Sequence, residues 1–271
     1  PMILYAVMAQ TSVVQLFVAG IIPGIIGGFG MMFVSYIYAK RKNLPIEEKF
    51  NLPNLRKTGK EAALAFILPV VILGGIFGGF VTATEGAGLA VVAALIIGAI
   101  YRELNFQKLF EATTEGGAQT AIVMLLVASS VLIGEFLTIE QVPQKVAASI
   151  IDFTSNKYAI LAILNVFLLV IGFFLHSSAA IILVIPIVLT LIQIAGIDPI
   201  HFGIIVTLNL AIGQQTPPVA SVLVTACSVA KADIWEVSKI NIMFVAVLFA
   251  VLLLVTYVPF VPMGLVEHFY R

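Results

Sequence analysis

Oxygen-bearing side chains interrupt the most apolar part of the sequence at two points. The first interruption, Leu175 to Ala179, carries the hydroxyls of Ser177 and Ser178. The second, Gly213 to Pro218, carries the hydroxyl of Thr216 and ends in paired prolines. Hydroxyl and carbonyl oxygens are the ligands that hard cations prefer. These two stretches therefore predict a site for a small cation such as sodium.

The segments on either side of these breaks are apolar enough to lie in a membrane, but they are short for helices that cross it. A helix that crosses a bilayer needs about 20 consecutive apolar residues, and the runs beside each break fall short of that or barely reach it. Paired prolines remove two backbone donors and clash with the preceding turn, so no helix passes through them unbroken. In secondary transporters, broken helices of this kind lie near the bilayer midplane and hold substrate and coupling ions. We predict that the two breaks form one such site.

Further groups in the second break would complete that site. Backbone carbonyls freed by the prolines would add oxygens to the cation shell, at Gly213, Gln214 and Gln215. A half-helix starting near Pro218 would direct its positive end at the break, which suits a carboxylate. Asn209 lies about two turns before Thr216 and is predicted to support the site from the same helix. The structural alternative is a bent helix whose hydroxyls are satisfied internally.

Two ionisable residues in apolar surroundings have competing interpretations. His176, at the tip of a hairpin that we predict for Tyr158 to Ile194 and expect to bury it, could satisfy a backbone carbonyl, take up a proton or bind an anionic substrate. Glu85 follows Thr82 and Thr84 between two apolar runs, and is either a functional acid or a helix cap. The sequence contains no HExxH, GxSxG, paired-cysteine or phosphate-loop motif, so no enzyme constellation is indicated.

Composition fixes the environment of the chain. It has 271 residues, of which 61% are hydrophobic and 10% charged, and its mean hydropathy is +1.13. A soluble domain of this size cannot bury so much apolar surface, so we predict an integral membrane protein in contact with the lipid bilayer. Cys227 is the single cysteine and is interpreted as a packing residue. Because Pro1 opens an apolar run, we expect the chain to begin within a membrane element that has a further part upstream.

The distribution of basic residues predicts the topology. Seven of the fourteen lie between Lys40 and Lys60, which places that stretch in the cytoplasm and indicates topology rather than nucleic-acid binding. The resulting path leaves eleven basic residues inside and three outside. Tyr158 to Ile194 is interpreted as a re-entrant hairpin because of its polar tip, although two full spans would give the same charge balance. The predicted segments are the tail of a broken helix (1–9), a span with the basic loop (10–61), spans with an outer amphipathic helix (62–153), the transport core (154–239), and the last span with the C-terminus (240–271). Within them, one span is predicted from Ala62 to Phe80 and the last from Ile240 to Val261.

The chain also resembles the large membrane subunit of tripartite ATP-independent periplasmic (TRAP) transporters, the DctM-like permeases. The resemblance runs along essentially the whole chain, and its last stretch is highly specific. The matching stretches are PGIIGG from Pro23, LPVVILGGIFGGFVTATEGAG from Leu68, YREL from Tyr101, and GIDPIHFGIIVTLNLAIG from Gly196 followed by TPPV up to Val219.

This resemblance implies an all-α polytopic membrane protein that forms the second half of an inverted-repeat, elevator-type transporter. It implies sodium-driven import of sugar acids, sialic acid or C4-dicarboxylates across a bacterial inner membrane, with no cofactor besides the coupling sodium. A small membrane subunit and a periplasmic solute-binding protein would be the partners. Residues and resemblance together predict substrate contacts at His176, Ser177, Ser178, Asn209, Gln214, Gln215, Pro217 and Pro218. They predict sodium contacts at Ser177, Ser178, Ala179, Gly213, Gln214 and Thr216.

The chain departs from the family pattern at four of these positions or beside them. Many members have an acidic residue at the position of His176, apolar residues at those of Gln214 and Gln215, and glycine at that of Ala220. These departures leave the substrate open. The alternatives to a TRAP permease are a carboxylate symporter that needs no binding protein and, from another class, a scaffold subunit or intramembrane enzyme. Broken helices argue against a scaffold, and the missing catalytic set argues against an enzyme.

Overall fold

The computed structural model describes residues 1–43, 51–102, 104–217 and 220–270, without the side chains of residues 61, 64 and 65. Within these residues the chain is helical and forms no strand. The helices are α1 (Met2–Met8), α2 (Val13–Lys42), α3 (Leu52–Phe77), α4 (Ala83–Ile100), α5 (Phe106–Ile139), α6 (Val142–Phe153), α7 (Lys157–Phe174), α8 (Ser177–Ile194), α9 (Pro199–Gly213), α10 (Ser221–Ala230), α11 (Ile234–Tyr257) and α12 (Phe260–Tyr270).

Six of the described helices are long and apolar enough to cross a membrane, namely α2, α4, α5, α7, α8 and α11. Together with the composition, they make the protein a multi-pass membrane protein. The helix α3 differs from its predicted span because it starts at Leu52 and its apolar part covers only Phe66–Phe77. Arg56, Lys57 and Lys60 therefore lie on a helix and not in a loop, whereas Lys49 lies outside the described residues.

Side-chain caps explain where several helices begin. Asp198 accepts hydrogen bonds from the amides of Ile200 and His201 at the start of α9. Asp233 caps α11 in the same way, and the Asn156 side chain accepts from the Tyr158 amide at the start of α7. Such caps satisfy amides that have no partner in the first helical turn.

Proline explains where the last predicted span ends. The expected span from Ile240 to Val261 is instead α11, which ends at Tyr257, followed by the separate helix α12. Pro259 has no backbone N–H, so it cannot donate to the carbonyl of Val255 and the helix stops before it. The prediction of one continuous helix to Val261 is therefore wrong.

The described residues form two compact units, of which the larger comprises Pro1–Arg41 and Val123–Arg271. Its apolar core is built from α1, α7, α8, α9 and α11 together with residues of α2, α6 and α12. Tyr5 of α1 is fully buried in this core, and its hydroxyl donates to the carbonyl of Pro199, 2.6 Å away. The amphipathic helix α6 packs on α8 and buries Ala147 completely.

Contacts within this unit fix the directions of three successive helices. The ends of α7 and α9 lie together, because Gly172 approaches Gly213 closely. Their beginnings lie beside the end of α11, where the ring of Tyr158 packs against Tyr257 and His201 bonds to Val255. The intervening helix α8 starts beside the end of α7 and leads into the start of α9. α8 is therefore antiparallel to α7 and α9. Together, α7 and α8 form a hairpin whose tip is Leu175 and His176.

The second unit, Lys42–Ile122, contains α3, α4 and the first half of α5. α3 packs against α4, and the short connection between them makes the two helices antiparallel. Ile76 of α3 fills the space that a side chain at Gly86 of α4 would need. The start of α3, the end of α4 and the start of α5 therefore lie at one end of this unit.

Candidate functional site

The break after α9 follows from proline chemistry. α9 ends at Gly213, and the amides of Gln215 and Thr216 make tighter bonds to carbonyls three residues back, as helices do in their last turn. Pro217 can make no such bond. Thr216 thus lies in the turn beyond the helix that holds Asn209, which corrects the prediction that one helix carries both.

The second half of this broken helix starts later than predicted. α10 begins at Ser221 and not near Pro218, which lies outside the described residues together with Val219. The residue before it, Ala220, is buried and has a left-handed backbone with φ of 44° and ψ of 49°. The amide of Val222 then donates back to the carbonyl of Gln214 at 3.2 Å and closes the break.

The first break is shorter than the sequence indicates. Only Leu175 and His176 are extended, and Ser177 to Ala179 form the first turn of α8. Serine is favoured at a helix start because its hydroxyl competes for backbone groups elsewhere in a helix. Ser177 is buried, while Ser178 and Ala179 are half-buried.

The structure brings the hairpin tip and the helix break into direct contact. The side-chain amide of Gln214 donates to the hydroxyl of Ser177. Just before these two residues, α7 and α9 touch backbone to backbone, because a Cβ added at Gly172 would lie 3.3 Å from the Cα of Gly213. A side chain at either glycine would separate the helices, so this pair holds the tip against the break.

Each predicted carbonyl ligand in the break already accepts one hydrogen bond. The carbonyl of Gly213 accepts from the amide of Thr216 at 3.1 Å, and that of Gln215 accepts from the side chain of Asn241 at 3.0 Å. The hydroxyl of Thr216 donates to the carbonyl of Ile212 at 2.8 Å. A carbonyl oxygen has two lone pairs and a hydroxyl that donates keeps its own, so acceptor capacity remains at all of these oxygens.

His176 is exposed, which contradicts the expectation that the hairpin buries it. The residue lies at the very tip, where neither helix covers it, and borders a groove of about 700 Å³ beside one face of α10. That groove is lined by His176, Ser221, Val222, Thr225, Ala226, Val229 and Ala230. The exposed Pro217 and the half-buried Gln215 belong to the adjoining break.

The histidine that satisfies a buried carbonyl is His201. Its Nε2 lies 2.8 Å from the carbonyl oxygen of Val255, the group that Pro259 leaves without an amide donor. Because a carbonyl only accepts, Nε2 carries the proton in this contact. His201 therefore ties the start of α9 to the end of α11.

Asn209 belongs to a second polar cluster rather than to the contact between tip and break. Its side-chain nitrogen donates to Asn165 on α7 at 2.7 Å and to the carbonyl of Ile205 at 2.9 Å. Asn165 in turn donates to the hydroxyl of Thr256 on α11 at 3.0 Å. The side-chain oxygen of Asn209 is buried and has no partner among the described residues. The cluster joins three helices that position the site.

Glu85 is a helix cap. Its carboxylate accepts from the amide of Thr82 at 2.7 Å, and the Thr82 hydroxyl accepts from the Glu85 amide at 3.3 Å. This reciprocal pair is a capping box at the start of α4. It confirms the capping interpretation of Glu85.

Sequence reasoning missed four polar residues that position the site. They are Asn165, His201, Asn241 and Thr256, and each bonds to a partner on another element. A single signal was available, since a polar side chain inside an apolar run needs a partner. The identity of that partner depends on the tertiary fold.

Comparison with known proteins agrees with the resemblance seen in the sequence. Residues 1–261 match the family described as the DctM component of the tripartite ATP-independent periplasmic transporter. The isethionate TRAP transporter permease protein DctMQ of Oleidesulfovibrio alaskensis is 42% identical over 97% of this chain and 42% of its own length. The C4-dicarboxylate TRAP transporter large permease protein DctM of Pseudomonas aeruginosa is 34% identical over 97% of this chain and 62% of its own. The sialic acid TRAP transporter large permease protein SiaM of Vibrio cholerae is 34% identical over 96% and 61%.

This chain therefore spans between two fifths and two thirds of the length of these relatives. The family consists of transport components, which confirms the prediction that the protein is not an enzyme. The chain belongs to the DctM family of TRAP transporter permeases.

Proposed function

We propose that this chain forms part of a permease that imports a small organic anion together with sodium ions. The observation that carries the proposal is the contact between Ser177 at the hairpin tip and Gln214 in the helix break. Two helix interruptions that meet inside an apolar protein concentrate polar atoms where a bilayer offers none.

The sodium ion would be held by neutral oxygens at this contact. The proposed ligands are the hydroxyls of Ser177, Ser178 and Thr216 and the carbonyls of Ala179, Gly213 and Gln214. Support comes from the spare lone pairs of these oxygens and from the burial of Ser177 and Gln214. A buried cation needs several such oxygens because it loses its hydration shell.

The anion would lie in the groove beside His176. Two helices, α8 and α10, begin at this groove, and both begin without a side-chain cap. α1, α3 and α6 likewise begin without a side-chain cap, whereas α4, α7, α9 and α11 begin with capping side chains. Uncapped helix starts leave amides and the positive end of the helix dipole available for an anion. The imidazole of His176 adds a further donor.

The class of anion is supported by the relatives, which are named for isethionate, C4-dicarboxylate and sialic acid. We therefore propose a carboxylate or sulfonate small enough for the groove. The proposed contacts of this anion are His176, Ser177, Ser178, Gln214, Gln215, Pro217 and Pro218. Asn209 would support the site indirectly, through Asn165.

The remaining features of the proposal follow from the family. We propose a bacterial inner-membrane location, a small membrane subunit and a periplasmic binding protein that delivers the anion. Within the complete permease, the hairpin would be re-entrant, an inverted copy of this half would face it, and the core would move as an elevator.

The test is uptake into proteoliposomes by the complete permease, with its binding protein and an inward sodium gradient. Ser177→Ala and Thr216→Ala are expected to reduce sodium-dependent uptake at equal folded protein, because each removes one cation ligand. The matched controls are Ser238→Ala and Thr120→Ala, whose hydroxyls, like that of Thr216, donate to a carbonyl four residues back. Wild-type uptake by both site variants would refute the site, and uptake without the binding protein would favour an independent symporter.

A further inference from the structure

A groove of about 640 Å³ lies between α4 and α5 in the smaller unit. One wall is a face of α4 made of Val91, Ala94, Leu95 and Gly98, and the other is a face of α5 made of Lys108, Leu109, Ala112 and Thr113. Leu104, from the connection between the helices, also lines it and packs on Gly98. Apart from Lys108 and the hydroxyl of Thr113, which donates to Leu109, the side chains are apolar.

The groove is formed by two helices that are candidates to cross the membrane. α4 and α5 are both long and apolar enough to span a membrane, and only 6% of the spanning residues of each are buried. An apolar groove in such a position is favourable only when hydrocarbon or another apolar surface fills it.

A cation stands at one end of this apolar groove. Lys108 lies in the first turn of α5, next to the connection from α4, and its side chain is exposed. In the part of the chain that the structure describes, its ammonium makes no ion pair. The nearest acid on α5, Glu111, lies one turn further along the helix and accepts a hydrogen bond from the side chain of Gln107 at 3.0 Å. Arg102, in the connection itself, adds a second exposed basic residue at this end.

We propose that this groove binds an anionic phospholipid. An acyl chain lies along the apolar faces of α4 and α5, and the head-group phosphate pairs with Lys108. The charge of the head group selects the lipid, since a zwitterionic lipid with the same chains offers equal apolar contact but no net negative charge. This site depends on the membrane location of the unit and not on any transport activity.

The proposal is tested with the complete permease purified in detergent. Native mass spectrometry counts bound lipid after addition of phosphatidylglycerol or of phosphatidylcholine with identical acyl chains. Wild-type protein is expected to retain phosphatidylglycerol preferentially. Lys108→Gln should lower that preference by roughly fivefold, as expected for one basic residue beside an anionic head group, and Lys108→Arg should restore it.

Two control variants separate this site from general surface charge. Lys60→Gln removes an exposed lysine on α3 and should leave the preference unchanged. Ala94→Phe fills the groove and should reduce binding of both lipids, whereas Ala99→Phe, off the groove face, should not. Equal retention of the two lipids by wild type, or equal effects of Lys108→Gln and Lys60→Gln, would overturn the proposal.

Discussion

At the scale of single residues, Ala220 shows how one backbone angle shapes the site. Its left-handed conformation turns the chain from the break into α10, and only 2% of the residue is exposed. A left-handed residue other than glycine carries a steric penalty, because its Cβ crowds the neighbouring carbonyl. The glycine that many family members have at this position fits the same angle without that penalty.

Ala220→Gly should therefore stabilise the protein, by about 1 kcal/mol in the free energy of unfolding. The measurement is thermal unfolding of the purified permease. Ala118→Gly, inside the regular helix α5, is the matched control and should destabilise by about the same amount. A loss of stability in Ala220→Gly would show that the left-handed turn is absent.

At the scale of elements, the site depends on how closely α7 approaches α9. Gly172 and Gly213 let the two backbones touch just before the hairpin tip and the helix break. Asn165, Asn209 and Thr256 then hold the same helices and α11 in register through buried hydrogen bonds. The close approach and the polar cluster together determine that Ser177 faces Gln214.

Gly213→Ala should disrupt this arrangement. A Cβ at this position would lie 2.5 Å from the carbonyl carbon of Gly172, and backbone cannot move aside as a flexible side chain can. We expect a loss of about 1–3 kcal/mol in stability, typical of overpacking, seen as a lower unfolding temperature and less monodisperse protein. Gly24→Ala is the control, since no atom lies within 4 Å of its Cβ. Equal behaviour of the two variants would contradict the close contact.

At the scale of the whole molecule, features of the fold that depend on neighbouring residues could be predicted from the sequence. Contacts between residues far apart in the sequence could not. The break at Pro217 and the starts of α4 and α9 follow from residues adjacent in sequence, so Thr82, Asp198 and the prolines were sufficient signals. His176 and His201 could not be told apart, because the partner of His201 lies 54 residues away in Val255. Ser177 and Gln214 are 37 residues apart, and their contact likewise requires the folded chain.

The central claim is that the hairpin tip and the helix break together hold a sodium ion. Its most direct test places a cysteine at Leu175, an exposed residue of the hairpin tip that is not a proposed ligand, in a complete permease freed of native cysteines including the buried Cys227. The rate of maleimide labelling is then measured in sodium and in potassium.

Bound sodium should hold the tip against the break, so labelling of Leu175→Cys should be several-fold slower in sodium than in potassium, without added substrate. Ser238→Cys, half-buried on α11, should label at equal rates in both ions. Equal rates for Leu175→Cys, in protein that remains folded, would contradict the account.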